Sequence, residues 1–200
     1  MIKAGLTGSI GMGKSTTAEM FREEGIPVYD ADKTVHELYK FEAVDRIEKA
    51  FPGTTTKDGV DRGKLAQCVL GNPEKLKLLE NLIHPLVHQK EKAFIEAAEK
   101  DREKLVILDI PLLFEAGGVD RVDKIIVVTA PADVQLERVL SRPGMTEEKF
   151  AAILAKQLPD AQKRTKADYI IDTSLGLEAA RTKVRQIVNE LAQNPVHHRN

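Results

Sequence analysis

Apolar residues along this chain fall into two arrangements. Short, nearly unbroken runs occur at Ile2–Leu6, Ile26–Tyr29, Leu105–Leu108, Lys124–Val128 and Tyr169–Ile171. Runs of that length predict buried strands. Elsewhere the apolar positions recur every three or four residues, the period of an amphipathic helix. Leu79, Leu82, Ile83, Leu86 and Val87 form one such stripe, on a helix from Glu74 that is expected to bend at Pro85. Leu177, Ala180, Val184, Ile187, Val188 and Leu191 form another, a core-facing stripe on the closing helix. Strands alternating with helices predict an α/β fold around a parallel sheet. From Lys33 to Lys100 the alternation stops: the stretch is mostly helical, contains no convincing strand, and breaks at Pro52-Gly53, Lys57-Asp58-Gly59 and Asn72-Pro73. It reads as a large helical insertion.

The link between the first strand and the first helix carries the chemistry. Gly8-Ser9-Ile10-Gly11-Met12-Gly13-Lys14-Ser15 satisfies the phosphate-loop pattern G-x-x-x-x-G-K-[ST] in full. Glycines let the backbone curl so that successive N–H groups converge on phosphate oxygens, and the helix that follows directs the positive end of its dipole at the same charge. Gly11, Met12, Gly13, Lys14, Ser15 and Thr16 are therefore the expected nucleotide contacts, with Lys14 on the β/γ-phosphates of ATP and Ser15 as a ligand of Mg²⁺. A dinucleotide fold is excluded, because Thr16 stands where G-x-G-x-x-G needs its third glycine.

Other charged residues lie at positions with two readings. Asp30 and Asp32 end the second strand, where an open sheet places its ligands; Asp32 either serves chemistry there or caps the helix that starts at Lys33. Asp109 ends the third strand in the layout of a Walker B acid, and either joins the metal shell or satisfies loop backbone. Ile110–Glu115 is an oddly apolar loop, suited to walling a substrate crevice. Arg138 and Arg142 stand one turn apart before Pro143-Gly144; such pairs are solvated surface charges or, in a phosphoryl-transfer enzyme, phosphate clamps on a mobile lid. The polar helices that follow, with Gln157, Lys163 and Arg164, form the candidate lid, residues 142–165. Arg62 reads as a solvated charge. His84 and His88 superficially suggest H-E-x-x-H, but Pro85 replaces the required Glu. Thr165-Lys166-Ala167-Asp168 mimics a guanine-reading motif yet precedes its strand, and no D-x-x-G occurs.

Composition narrows the class without changing it. A net charge of −1 argues against nucleic-acid binding, and no apolar segment is long enough for a membrane span or shaped as a signal peptide. A cytoplasmic location is expected. The single Cys68 reads as buried filler, and the tail from Asn194 to Asn200 as a frayed end.

Taken together, Gly5-Leu6-Thr7-Gly8 leading into the phosphate loop, Asp30-Ala31-Asp32, His84-Pro85-Leu86, Pro111-Leu112-Leu113-Phe114-Glu115, the Arg138/Arg142 segment and Ala167-Asp168-Tyr169-Ile170-Ile171-Asp172 resemble the dephospho-CoA kinase family from Met1 to about Leu191. The resemblance implies a P-loop kinase fold like that of nucleoside monophosphate kinases, with a five-stranded parallel sheet flanked by helices, a helical acceptor-binding insertion over 33–100, and a lid. It implies transfer of the ATP γ-phosphate to the ribose 3′-hydroxyl of dephospho-CoA. By the same resemblance Asp32, Lys14 and Arg142 are catalytic, Arg138 and Arg142 close on the phosphates, and Asp32, Arg62 and His84 hold the acceptor. Three departures accompany it: Ser9 and Met12 stand where Gly and Ser are expected, His36 where Arg is frequent, and Lys163 where Arg is frequent, which keeps charge but loses bidentate geometry. The competing expectations are another small-molecule kinase of this fold and a nucleotide-binding regulator with slow hydrolysis; oligomeric state is not legible.

Overall fold

A computed structural model describes residues 1–193. The chain divides into two units, Met1–Tyr29 together with the chain from Ala98 onward, and Asp30–Ala97. The expected frayed tail lies outside the described residues.

In chain order, β1 (Ile2–Thr7) leads through the glycine loop into α1 (Lys14–Glu23), which ends in a Schellman turn: Gly25, at φ 78°, donates to the Arg22 carbonyl and Ile26 to that of Phe21. The edge strand β2 (Val28–Asp30) follows. Next come α2 (Ala31–Leu38), α3 (Val44–Ala50), β3 (Thr55–Thr56), β4 (Gly59–Val60), α4 (Arg62–Val69) and α5 (Pro73–Lys100). The chain then returns as β5 (Leu105–Asp109), a 3₁₀ turn at Gly118–Arg121, β6 (Lys124–Thr129), α6 (Ala132–Leu140), α7 (Glu147–Leu154), α8 (Asp160–Thr165), β7 (Tyr169–Asp172) and α9 (Leu177–Gln193).

The five long-range strands form one sheet in the order β2-β5-β1-β6-β7. β1 pairs in parallel with β5 and β6, and β6 with β7. Every residue of β5 is buried, as an apolar run covered on both faces requires. One face packs Leu6, Ile107, Ile126 and Ile171 against Phe21 of α1 and Val184 and Ile187 of α9. The stripe on α9 is core from Ala180 to Leu191, but its first member, Leu177, is 61% exposed: the helix has only begun there, and the side chain precedes the part packed on the sheet. Asp168 has a structural role, accepting from the Ile125 N–H at 2.8 Å and pairing with Lys124 at 3.3 Å, so the guanine-motif likeness is incidental.

The 30–97 unit has its own core of Leu38, Ile47, Phe51, Leu65, Leu79, Ile83 and Leu86. It differs from expectation in holding a hairpin, β3 against β4, with Thr55 opposite Val60. Glu48 secures it by accepting from the Gly53 and Thr55 N–H groups and the Thr55 hydroxyl. Two-residue strands have no periodicity to read, and only their turn, Lys57-Asp58, was visible as a break. The helix α5 runs unbroken through Pro85, an exposed position where the missing N–H leaves only one carbonyl without its helical partner. Cys68 is half-buried beside this core.

Candidate active site

The parallel strands β1, β5, β6 and β7 end at one edge of the sheet, and the chemistry-bearing residues of the first unit gather there. Gly11 and Gly13 have φ of 80° and 90°, and a Cβ at Gly11 would lie 2.6 Å from Val139 Cγ2. Only glycine fits such a backbone without strain. Gly13 is the N-cap of α1 and supplies no side-chain cap, while the first closed helical bond is that of the Thr17 N–H to the Gly13 carbonyl. The N–H groups of Lys14, Ser15 and Thr16 thus face outward from the helix start, available to an anion.

Met12, expected among the nucleotide contacts, turns inward: its side chain is 2% exposed and its Sδ accepts from the Ala130 N–H at 3.0 Å. Its own N–H closes a turn on the Ser9 carbonyl at 3.2 Å. The residue anchors the loop. Lys14 Nζ lies 2.5 Å from Asp109 Oδ1, whose carboxylate is 3% exposed, so the strand-tip acid positions the lysine that the motif requires. Ser15 and Thr16 are exposed at the start of α1.

A cleft of about 330 Å³ opens beside the loop, lined by Gly11, Gly13 and Thr16 on one side and by Arg138, Arg142 and Thr173 on the other. Arg138 and Arg142 are brought together with the loop as expected, with one difference. The helix α6 stops at Leu140, so Arg142 stands on the turn beyond its C-cap, with its N–H on the Val139 carbonyl. Leu177 also lines the cleft.

Several supporting contacts were not read from sequence, although Gln157 was named there as a lid residue. Gln135 Nε2 donates to the Ile10 carbonyl at 2.6 Å, and the Ile10 N–H donates to Gln157 Oε1 at 3.2 Å, so α6 and the α7–α8 connection both brace the loop. Thr7 ties the tip of β1 to the Pro111 carbonyl at 3.0 Å. Thr173 touches loop and arginine alike. Its signal was available, since it follows β7 directly at the ligand-bearing edge of the sheet. Gln135 lies one turn before the buried Val139 and is itself buried, a burial that the sequence does not announce.

Lys163, inside the candidate lid segment and at a position where Arg is frequent, is fully buried, its Nζ 3.0 Å from Glu115. Glu115 also accepts from the Leu158 N–H at 2.8 Å. Burial pushes the Glu115 carboxyl up, but the Leu158 N–H, the Lys163 ammonium and its own N–H outweigh it and hold it below the usual carboxylate range. The apolar loop is part core as well: Ile110 and Leu113 are buried, while Leu112 is exposed.

The remaining expected residues belong to the 30–97 unit, on three different helices. Asp30, not Asp32, caps α2, its Oδ1 accepting from the Lys33 N–H at 2.9 Å; Asp32 is exposed in the first turn and free of that duty. Arg62 opens α4 behind its N-cap Asp61. It is close enough to act on Tyr39, whose hydroxyl is pushed up by burial and drawn partly back by the Arg62 charge. His84 is exposed on α5 and stacks on His88, with ring centroids 6.3 Å apart. His36 is exposed in the last turn of α2.

Comparison with known proteins places this arrangement. The family model described as dephospho-CoA kinase matches residues 2–178. The dephospho-CoA kinase of Mesorhizobium japonicum is 60% identical over 191 residues, 96% of this chain and 97% of its own. Among solved structures, TT1252 from Thermus thermophilus is 32% identical with a TM-score of 0.82, covering 95% of this chain and 97% of that one. A dephospho-CoA kinase from Campylobacter jejuni is 27% identical with a TM-score of 0.67, covering 96% and 98%. With its phosphate loop, paired arginines and five-stranded parallel sheet, the chain belongs to the dephospho-CoA kinase family.

Proposed function

We propose that this protein transfers the γ-phosphoryl group of ATP to the ribose 3′-hydroxyl of dephospho-CoA, giving coenzyme A and ADP, the last step of coenzyme A synthesis in the cytoplasm. The observation that carries the reading is a cleft lined by the glycine loop, by Thr16 at the start of α1 and by Arg138 and Arg142, in a chain of this family whose phosphate-loop Lys14 is held by Asp109. That set of donors suits a polyphosphate, because it supplies amides for the oxygens and cations for the charge.

In this reading Asp32 takes the proton of the 3′-hydroxyl as its oxygen bonds to the γ-phosphorus, and the bond to the β,γ-bridging oxygen breaks to release ADP. Lys14 leaves or shares Asp109 to neutralise charge on the transferring group, and Arg142, with Arg138 behind it, closes over the phosphates. The Ser15 hydroxyl, exposed at the helix start, is a hard oxygen donor fit to hold Mg²⁺ together with phosphate oxygens. When bound, that ion supplies charge stabilisation to the phosphoryl group. Residues 33–100 bind the acceptor, with Arg62 and His84 gripping it, and residues 142–165 act as the lid that excludes water.

A coupled ADP-release assay with Mg-ATP tests this, with dephospho-CoA run beside AMP, CMP, gluconate and shikimate and the product weighed by mass spectrometry. Gain of one phosphate on dephospho-CoA alone is expected. Turnover confined to another acceptor would overturn the substrate assignment, and silence on all would favour a nucleotide-binding regulator.

A further inference from the structure

The glycine loop and Arg138 come from distant parts of the chain, and one hydroxyl joins them. Thr173 Oγ1 donates to the Met12 carbonyl at 2.8 Å and accepts from Arg138 Nη1 at 2.7 Å. Arg138 Nη2 donates to the Thr173 carbonyl at 2.9 Å, and the Thr173 N–H donates to the Thr129 carbonyl at 3.0 Å. Thr173 is therefore fixed to β6 by its backbone and spends its side chain entirely on the site. The Thr129 carbonyl is a second possible acceptor for the hydroxyl, but at 3.3 Å it is the poorer one.

A hydroxyl carries one proton and two lone pairs. With the proton committed to Met12, the lone pairs are left for the guanidinium, so the two contacts set each other's direction. The consequence reaches the loop amides through the peptide plane. In a trans peptide the carbonyl and the following N–H point in opposite directions, so holding the Met12 carbonyl sets the heading of the Gly13 N–H. The approach is close: a Cβ on Gly13 would lie 3.1 Å from both Thr173 Oγ1 and Cγ2.

Resting on the reading of this cleft as the ATP site, we infer that Thr173 is a positioning residue for phosphoryl transfer, one that aligns the phosphate loop and Arg138 with each other before nucleotide arrives. Valine at 173 keeps the shape and removes both the donor and the acceptor. Serine keeps the hydroxyl and loses only the methyl group.

The test compares Thr173→Val with Thr173→Ser in the full chain, by steady-state kinetics on both substrates and by calorimetric binding of MgADP and a non-hydrolysable ATP analogue. Thr173→Val is expected to raise KM for ATP and lower kcat, together on the order of a hundredfold in kcat/KM, the scale of lost transition-state positioning. KM for the acceptor stays within about twofold, and Thr173→Ser recovers kcat/KM to within a few-fold of the parent. In an Arg138→Met background the Thr173→Val loss shrinks, since one of its two clients is gone. Parent-like kinetics in Thr173→Val, equal impairment of Ser and Val, or an equal rise in acceptor KM would overturn the inference. If Thr173→Val fails to fold, Thr173→Ala against Thr173→Ser decides the same question. If the parent protein does not phosphorylate dephospho-CoA at all, the proposed function fails, and the Val–Ser contrast in analogue binding still tests Thr173 by itself.

Discussion

Replacing Glu115 by Gln and, separately, Lys163 by Met should destabilise the protein very unequally, although the two residues form a single pair. The Lys163 side chain is 0% exposed, whereas that of Glu115 retains 16% exposure and has the Leu158 N–H as a second partner. Glu115→Gln therefore strands an ammonium away from water. Asp160, one turn earlier on α8, uses Oδ2 for the Thr129 hydroxyl and Arg164, and its buried Oδ1 makes no hydrogen bond to the Lys163 ammonium. Breaking a buried pair so that a charge is left uncompensated costs about 3–5 kcal/mol. Lys163→Met fills the same channel with an apolar chain of similar length and leaves Glu115 partly hydrated, a cost of about 1–2 kcal/mol. The double variant should recover most of the Glu115→Gln loss, since it removes both charges together. Urea unfolding reads this directly: with m of about 2 kcal/mol/M, the midpoint falls by roughly 1.5–2.5 M for Glu115→Gln and by less than about 1 M for Lys163→Met. Folding lowers the Glu115 pKa, so on acidification the unfolded chain takes up the proton first. The pair's contribution is complete above the ordinary glutamate value of about 4.3 and is lost as pH falls through the folded value, so the gap between parent and Glu115→Gln should close there. Equal losses in the two single variants, or simple additivity in the double, would refute the argument.

Three site variants probe the chemistry. Lys14→Ala should lower kcat by about a hundredfold or more in the ADP-release assay, as removal of a charge donor from a phosphoryl-transfer site does; a parent-like kcat contradicts the loop's role. Asp32→Asn should lower kcat by about a hundredfold while calorimetry finds ATP binding intact, and its melting temperature should not move because Asp30 holds the cap; retained turnover removes Asp32 as the base. Arg142→Ala, on an exposed turn, should cut turnover with unchanged melting temperature, and an equal loss of stability would mark it as a structural residue instead.

The parts of this molecule that were legible in sequence are those whose signal is local. The phosphate loop is a contiguous pattern, and β5 and β6 announce themselves by apolar runs that only a doubly covered strand tolerates. Asp109 at a strand tip was placed correctly, but its partnership with Lys14 joins residues 95 positions apart and has no local trace. Lys163 fails for the same reason. A lysine on a short polar helix is exposed by default, and only the distant Glu115 makes its burial tolerable. Asp30 and Asp32 compete for one capping position, and a two-residue shift of the helix start decided between them. The bracing by Gln135, Gln157 and Thr173 consists of single polar side chains meeting across elements, which neither period nor spacing encodes.

The order of strands also governs how this protein is made. Ile2 pairs with Leu105 and Ala4 with Lys124, so the first strand to leave the ribosome has no neighbour until more than half the chain has followed. At about 5–20 residues per second, that delay is roughly 5–25 s. Meanwhile the 30–97 segment holds the partners of its own core, Leu38, Ile47, Leu65 and Ile83, and can compact as soon as it is synthesised. The strand β1, apolar and unpaired during that interval, is exposed to a holding chaperone, and the loop at its tip acquires its shape only when β6 and β7 arrive.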